Sequence, residues 1–301
     1  MSFQISRRRF LHHSGALAGA AMMTPLDLFS KEKPLLSFGI VTDSHYADRE
    51  PAGTRYFRDS LQKMREAMAE MNKQRLDFVV HLGDFKDQDE HPDENKTLAY
   101  LQKLEDSYAV FKGPRYHVLG NHDTDSISKK QFLQYVTNTG IDKNRSYYSF
   151  DQQGLHFVVL DADYKIDGTD YDKGNFEWTD SFIPDKQLQW LKDDLQKTKT
   201  PTVVFVHQLL DNVDDHDFCV KNADDVRDVI QKQKNVLAVF QGHRHKERYN
   251  KLENVHFCTL PGMVDFTGPE SNSFSILEVY KSGDINMIGF QRAPDLQMKA
   301  Q

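Results

Sequence analysis

Thiols are nearly absent: Cys219 and Cys258 are the only cysteines in 301 residues. Standing 39 positions apart, they make neither a CxxC redox pair nor the repeated pairs of a zinc ribbon. Each is an ordinary small apolar residue, or the two pair as a disulfide in an oxidising compartment. Long apolar runs are missing too, since the weakly apolar stretch 16–23 is too short to span a bilayer. There is no internal repeat and no low-complexity segment. Positive charge is scarce over most of the chain. Residues 1–34 hold five basic and two acidic side chains, which leaves 33 basic against 43 acidic in the remainder, near −10. Such a body excludes nucleic acid as a partner and gives an anionic membrane nothing to hold. An anionic substrate then needs a local attraction, such as bound cations.

What is present begins with a basic N-terminus, SRRRFLHHSGALAGAAMMTPLDLF. Its Ser6-Arg7-Arg8-Arg9-Phe10-Leu11 resembles a twin-arginine export signal. A disordered basic tail and an uncleaved anchor are the other readings of the same residues. The resemblance implies delivery to the periplasm, membrane contact only during export, and a cargo that folds before it crosses, often with its cofactor seated. Residues 1–33 are then signal and linker, and 34–301 are one domain, long enough for a single well-filled α/β core.

Apolar runs and helical patterns alternate along that domain. Residues 35–41, 77–82, 116–119, 202–206 and 236–240 are strand-like, and 147–151 with 156–160 form a hairpin that turns at Gly154. Helical patterns occupy 54–71, 98–111, 185–195 and 224–232. In the first of these, Tyr56, Ser60, Met64, Ala67 and Met71 recur at helical spacing, so its methionines fill core. Residues 255–260, 273–280 and 285–290 are three strands with no helix between them, which predicts an antiparallel second sheet. The stretches 163–181 and 211–217 read as surface insertions, either solvated or covering a site.

The ends of the strand-like runs share a feature. Asp43-Ser44-His45 follows the first, Gly83-Asp84 the second, and Gly120-Asn121-His122-Asp123 the third. His207 follows 202–206, and Gly242-His243-Arg244-His245 follows 236–240. In α/β sheets this C-terminal edge is where loops converge on ligands. A lone His in such a turn is an ordinary hydrogen-bonding residue, but His243 and His245 on one short turn can aim both rings at a common centre. Asp, Asn and His without thiolate suit manganese, iron, zinc or a mixture, more than a structural zinc cage.

In this order, D-x-H, GD, GNH, a lone His and GHxH resemble the calcineurin-like metallophosphoesterase family, across the whole body from residue 35 onward. The resemblance implies an α/β fold, a two-sheet sandwich flanked by helices, with a dinuclear centre of two divalent or mixed-valence metal ions. Carried over residue by residue, Asp43, His45 and His245 hold one ion, Asn121, His207 and His243 hold the other, and Asp84 bridges them. Two such ions clamp a phosphate ester and acidify a water, and the bridging carboxylate offsets their repulsion. His122 then stabilises developing charge or protonates the leaving oxygen, with Asp123 orienting its ring.

A narrower resemblance lies outside those motifs. DSHYADREPAGTRYFRDSLQKM, HFVVLDA at 156–162, KQLQWL at 186–191 and SNSFSILEVYKSGDINMIGFQR near the C-terminus are similar to the manganese-dependent ADP-ribose/CDP-alcohol diphosphatases. That subfamily implies a small phosphorylated substrate, nucleoside diphosphate-linked sugars or alcohols, with Arg55 and Tyr56 meeting a distal phosphate or a base. Where its animal members carry Gln, this chain has His45, a departure that bears on metal preference. A phosphomonoesterase or cyclic-nucleotide phosphodiesterase would use the same centre. A non-catalytic metal-binding interaction protein would be missing ligands, and none of those expected is missing. The oligomeric state is left open.

Overall fold

The computed structural model describes residues 32–211 and 216–300. The export signal expected on 1–33 lies outside the described residues except for its last two positions. Pro34–Gln301 form one compact unit.

Two six-stranded sheets make up its centre. Strands β1 (Leu36–Val41), β2 (Phe78–His81) and β3 (Arg115–His117) run parallel at one side of the first sheet. The second sheet begins with β4 (Tyr148–Gln152) and β5 (Leu155–Val159), an antiparallel hairpin. Its two-residue turn, Gln153-Gly154, has φ of 49° and 80°, the left-handed pair that a tight hairpin requires. Parallel to β5 follow β6 (Thr202–Phe205), β7 (Val236–Gln241) and β9 (Val255–Thr259), with β8 (Arg248–Leu252) closing the edge antiparallel to β9.

The C-terminal strands depart from the sequence-based expectation. They do not form a sheet of their own. β9 joins the second sheet, whereas β10 (Ser273–Val279), β11 (Ile285–Gln291) and β12 (Leu296–Met298) extend the first, β10 pairing antiparallel with β1. The physical reason is that β1 is almost wholly buried, so the backbone N–H and C=O groups on both its edges need partners; β2 serves one edge and the returning β10 the other.

Period-two alternation divides the strands' side chains between layers. Leu36, Phe38 and Ile40 of β1 face the inter-sheet core, with Phe78, Phe157, Val203, Phe205 and Phe240. Residues of opposite parity, Val41, Val79 and Ile276, face α1 (Ser60–Met71), α2 (Glu94–Tyr108) and α3 (Lys129–Tyr135). On the second sheet Val158, Val204 and Val239 face α4 (Asp185–Lys197) and α5 (Ala223–Gln231). The result is four layers, helices outside and sheets within. Each fully buried Phe, Leu or Val contributes about 1.5–3 kcal/mol.

Helix α1 starts at Ser60, later than the pattern at 54–71 predicts. Tertiary pairing wins there: Tyr56 N–H donates to Val264 O at 3.0 Å and Phe266 N–H to Thr54 O at 2.7 Å, which keeps 54–56 out of the helix. Met64 and Met71 do fill core. Helix α3, which the sequence reading did not include, starts at a capping box of Ser128 with Gln131, in which each side chain takes the other's backbone N–H. Cys219 and Cys258 are both buried and unlinked, as small apolar residues. No helix among the described residues is long and apolar enough to cross a membrane.

Candidate metal centre

The C-terminal ends of β1, β2 and β3 in one sheet and of β6 and β7 in the other meet at one edge of the sandwich. Backbone bonds stitch the turns together: Asp43 N–H donates to Gly83 O at 3.1 Å and Gly242 N–H to His207 O at 3.0 Å. Across the sheets, His243 N–H donates to the Asp43 carboxylate at 3.1 Å. A Cβ on Gly242 would lie 2.7 Å from Asp43 Oδ2 and closer still to Thr42 Oγ1, so only glycine lets the β7 turn approach β1. Five residues at these ends have left-handed backbones: Asp43 (φ 52°), His45 (44°), Asp84 (52°), His243 (68°) and His245 (61°). Each costs on the order of 1 kcal/mol or more for a residue other than glycine, and persists where its surroundings over-determine it. The reversals turn side chains of successive strand ends toward one another.

Three sets of ligating atoms result, each within 4.8 Å: Asp43, His45 and His245; Asp84, His207 and His243; and His45, Asp84 and His122. A fourth comprises Asp87, His122 and Asp125. Asp84 Oδ2 lies between the first two, 3.3 Å from His45 Nε2 and 3.1 Å from His207 Nε2. His245 Nε2 is 3.4 Å from Asp43 Oδ1.

The imidazoles are oriented from behind. His207 Nδ1 donates to Leu82 O at 2.8 Å, His45 Nδ1 to Asp87 Oδ2 at 3.2 Å, and His245 Nδ1 to Asp265 Oδ2 at 3.0 Å. A ring whose N–H is used at Nδ1 presents its lone pair at Nε2. His45 Nε2 and His245 Nε2 therefore face each other with lone pairs at 3.1 Å, an arrangement that a cation relieves. Asn121 Oδ1 and His243 Nε2 are buried and make no hydrogen bond among the described residues. This donor set, oxygen and nitrogen with no thiolate, fits divalent metal ions.

Electrostatics at the site separate the groups. Burial holds His45 and His243 well below the ordinary imidazole range, as neutral donors. Burial also raises Asp43. It would raise Asp84 as well, but His207, His122 and His45 outweigh it and hold that carboxylate well below its usual range. His207 is pushed up to about 10, burial opposing and Asp84 prevailing. A proton on Nε2 reconciles His207 with Asp84 when no metal is bound, and an ion takes over that role. His122 is likewise pushed up to about 10, burial opposing, by Asp125, Asp87 and Asp84. It is a cation at neutral pH, partly exposed at the rim.

Of the residues singled out from the sequence, Asp43, His45, Asp84, His207, His243 and His245 come together, and Asn121 sits on the adjoining turn, where its neighbour's backbone N–H (His122) donates to Asp84 Oδ1 at 2.8 Å. Arg55 reaches them, Nη2 lying 3.4 Å from His245 Nε2. Tyr56 engages through its backbone, to Val264 O. Asp123 does not orient His122. Its carboxylate accepts from the backbone N–H groups of Phe85, Lys86 and Gly120, at 2.9, 3.3 and 3.0 Å, and so locks the GNHD turn to the end of β2. The partner of His122 is Asp125, whose Oδ2 accepts from Nδ1 at 2.7 Å. The candidate insertion 163–181 does reach the site, where Trp178 packs edge-on against His243 with ring centroids 5.6 Å apart. Phe218, just after the other candidate stretch, packs there too at 5.4 Å, while residues 212–215 of that stretch lie outside the described residues.

The calcineurin-like phosphoesterase family profile matches residues 36–247, more than half of the chain and all of these strand ends. The chain belongs to this family. It is therefore a metal-dependent hydrolase of phosphoric esters or anhydrides. Among proteins similar to this phosphoesterase is the manganese-dependent ADP-ribose/CDP-alcohol diphosphatase of Oryza sativa, 28% identical over 89% of this chain and 95% of the relative. The Arabidopsis thaliana protein of the same name is 27% identical over 86% and 96%. In fold, the phosphoesterase resembles a dimetal phosphatase from Danio rerio, with a TM-score of 0.78, 22% identity, and 89% and 100% of the two chains covered.

Asp123, at the end of GNHD, and Asp125, two residues on, have separable roles. Asp123→Ala strands three buried N–H groups, and should destabilise the protein by about 1–3 kcal/mol or more. Asp125→Asn should leave thermal unfolding near that of the wild type while lowering kcat. Equal loss of stability in both variants would contradict the division.

Proposed function

We propose that this phosphoesterase hydrolyses the diphosphate bond of small nucleoside diphosphate-linked sugars or alcohols, with two divalent ions, manganese by preference. The relatives that match it over almost their whole length carry that activity and that metal in their names. In this reading Asp43, His45 and His245 hold one ion, and Asn121, His207 and His243 the other. Asp84 spans the two, and the position of its Oδ2 within 3.3 Å of a ligand from each group is the observation that carries the reading.

When bound, such a pair of ions would supply positive charge for the phosphate and a water acidic enough to attack at neutral pH. The chain's own groups do the rest. Arg55, at the rim beside His245, meets the phosphate that is not attacked. His122, protonated and held by Asp125, donates to the leaving phosphate oxygen as the bridging P–O bond breaks and the water oxygen bonds to phosphorus. Two phosphomonoesters leave. Trp178 and Phe218 narrow the approach, which favours a small substrate over a protein chain.

We propose separately, from the N-terminal sequence alone, that the enzyme is exported to the periplasm by the twin-arginine-type signal around Arg7 and Arg8. Replacing both with Lys should leave precursor in the cytoplasm. Normal delivery of the double variant, followed by cell fractionation, would remove the export assignment and leave the enzyme intact.

Asp84→Asn removes the shared charge with little change of shape. Elemental analysis of the purified variant should find fewer than two ions per chain, with activity lost. Two tightly held ions would mean that another group spans the pair.

The substrate is tested by kcat/KM with manganese for ADP-ribose, CDP-choline, a cyclic nucleotide and an aryl phosphate. Preference for the two diphosphates is expected. A strong preference for the aryl phosphate or the cyclic ester would overturn the substrate assignment while the hydrolase assignment stands.

A further inference from the structure

The loop between β9 and β10, residues 260–272, carries none of the motifs that mark the site, yet it reaches the site at Asp265. Both oxygens of that carboxylate are engaged: Oδ2 accepts from His245 Nδ1 at 3.0 Å and Oδ1 from Thr54 Oγ1 at 2.7 Å. The residue is 4% exposed. Its backbone oxygen is gripped by two cations, Lys63 Nζ from α1 and Arg292 Nη1 from beyond β11, each at 3.1 Å. Lys63 also donates to Met263 O at 2.9 Å and Phe266 O at 2.7 Å, and Arg292 to Gly262 O at 2.9 Å. Gly262 lies against the Asp265–His245 pair. A Cβ there would come within 2.8 Å of His245 Nδ1 and 3.1 Å of Asp265 Oδ2.

A Lys as buried as Lys63 usually has a carboxylate partner, and Arg292 is half-buried beside it. Here both bind main-chain carbonyls of one loop, so their effect is to fix that loop. It also fixes Arg55, because the loop pairs with 54–56 through Tyr56 N–H to Val264 O and Phe266 N–H to Thr54 O.

We propose that Asp265 is a positioning residue for the metal centre. It holds His245 as the Nδ1–H tautomer, so that Nε2 offers its lone pair to the ion shared with Asp43 and His45. Through Thr54 it sets Arg55 beside that same ion. The proposal rests on the dinuclear reading above. A carboxylate behind a ligating imidazole fixes the ring and raises its basicity, and its loss typically weakens metal binding about 10–100-fold.

The test is titration of the metal-free protein with manganese, reading unbound ion by electron paramagnetic resonance, alongside thermal unfolding in chelator. In Asp265→Asn, which keeps the shape, one of the two ions should bind about tenfold or more weakly and the other as in the wild type. Asp265→Ala should lose more at the same single ion. The metal-free Asp265→Asn protein should unfold at the wild-type temperature. Two ions bound with wild-type affinity in both variants would overturn the proposal. So would equal weakening of both ions with a lower unfolding temperature in chelator, since Asp265 would then be a structural prop. A wild type that binds fewer than two ions would instead overturn the dinuclear reading, and this proposal with it.

Discussion

Lone pairs facing lone pairs set the terms for this structure. His45 Nε2 and His245 Nε2 stand 3.1 Å apart, and the almost fully buried carboxylates of Asp43 and Asp84 lie beside them. Left to themselves such groups repel, and burying a charge without a partner costs several kcal/mol. The protein relieves the repulsion only in part, by backbone N–H groups of His243 and His122 donated to Asp43 and Asp84 and by His207 facing Asp84. It ties the opposite, N–H side of three rings to Asp87, Asp265 and a backbone carbonyl, which points the lone pairs of His45 and His245 inward and aims His207 Nε2 at Asp84. That choice makes sense only if positive ions complete the site.

Holding so unfavourable an arrangement demands a rigid frame, and the two sheets provide one. Beneath the site Phe38, Phe78, Phe157 and Phe205 interlock, with Phe38 stacked on Phe78 at 4.9 Å and edge-on to Phe205 at 5.7 Å. The strand ends above this core then have little freedom. Asp123 adds three backbone bonds at one turn, and Lys86 donates to His122 O at the same place. These contacts sustain the five left-handed residues, whose strain turns strand ends into a ligand cradle.

The same logic explains what the sequence disclosed. Strand-end motifs were legible because β1, β2, β6 and β7 are short apolar runs followed within a few residues by Asp or His, with a glycine just before that residue after β2 and β7, so position and chemistry coincide. The ligand-bearing turns follow in register. The short edge strands β8 and β12 were not legible, being half-exposed and without a continuous apolar pattern. Sheet membership of the C-terminal strands was hidden for another reason: β10 pairs with β1 across more than 200 residues, and local pattern carries no record of such a partner. The carboxylates behind the rings divide likewise. Asp125 sits two residues from Asp123, and sequence proximity favoured the wrong one, whereas Asp265 is brought to His245 only by the fold.

An acidic protein that handles an anion has to keep its carboxylates from the substrate, and the site shows how. Asp87 is turned toward His45 and Asp125 toward His122. Asp265 is turned toward His245 and Thr54. Each carboxylate near the rings thus spends its charge on an imidazole or hydroxyl rather than on the opening. What remains facing outward is cationic: Arg55, with its side chain 34% exposed, and His122, with its ring 26% exposed. The negative charge of the body is therefore inverted at one place. Because the charge on His122 depends on the carboxylates behind it, the same acidic residues that make the body repel anions create the local attraction that admits one.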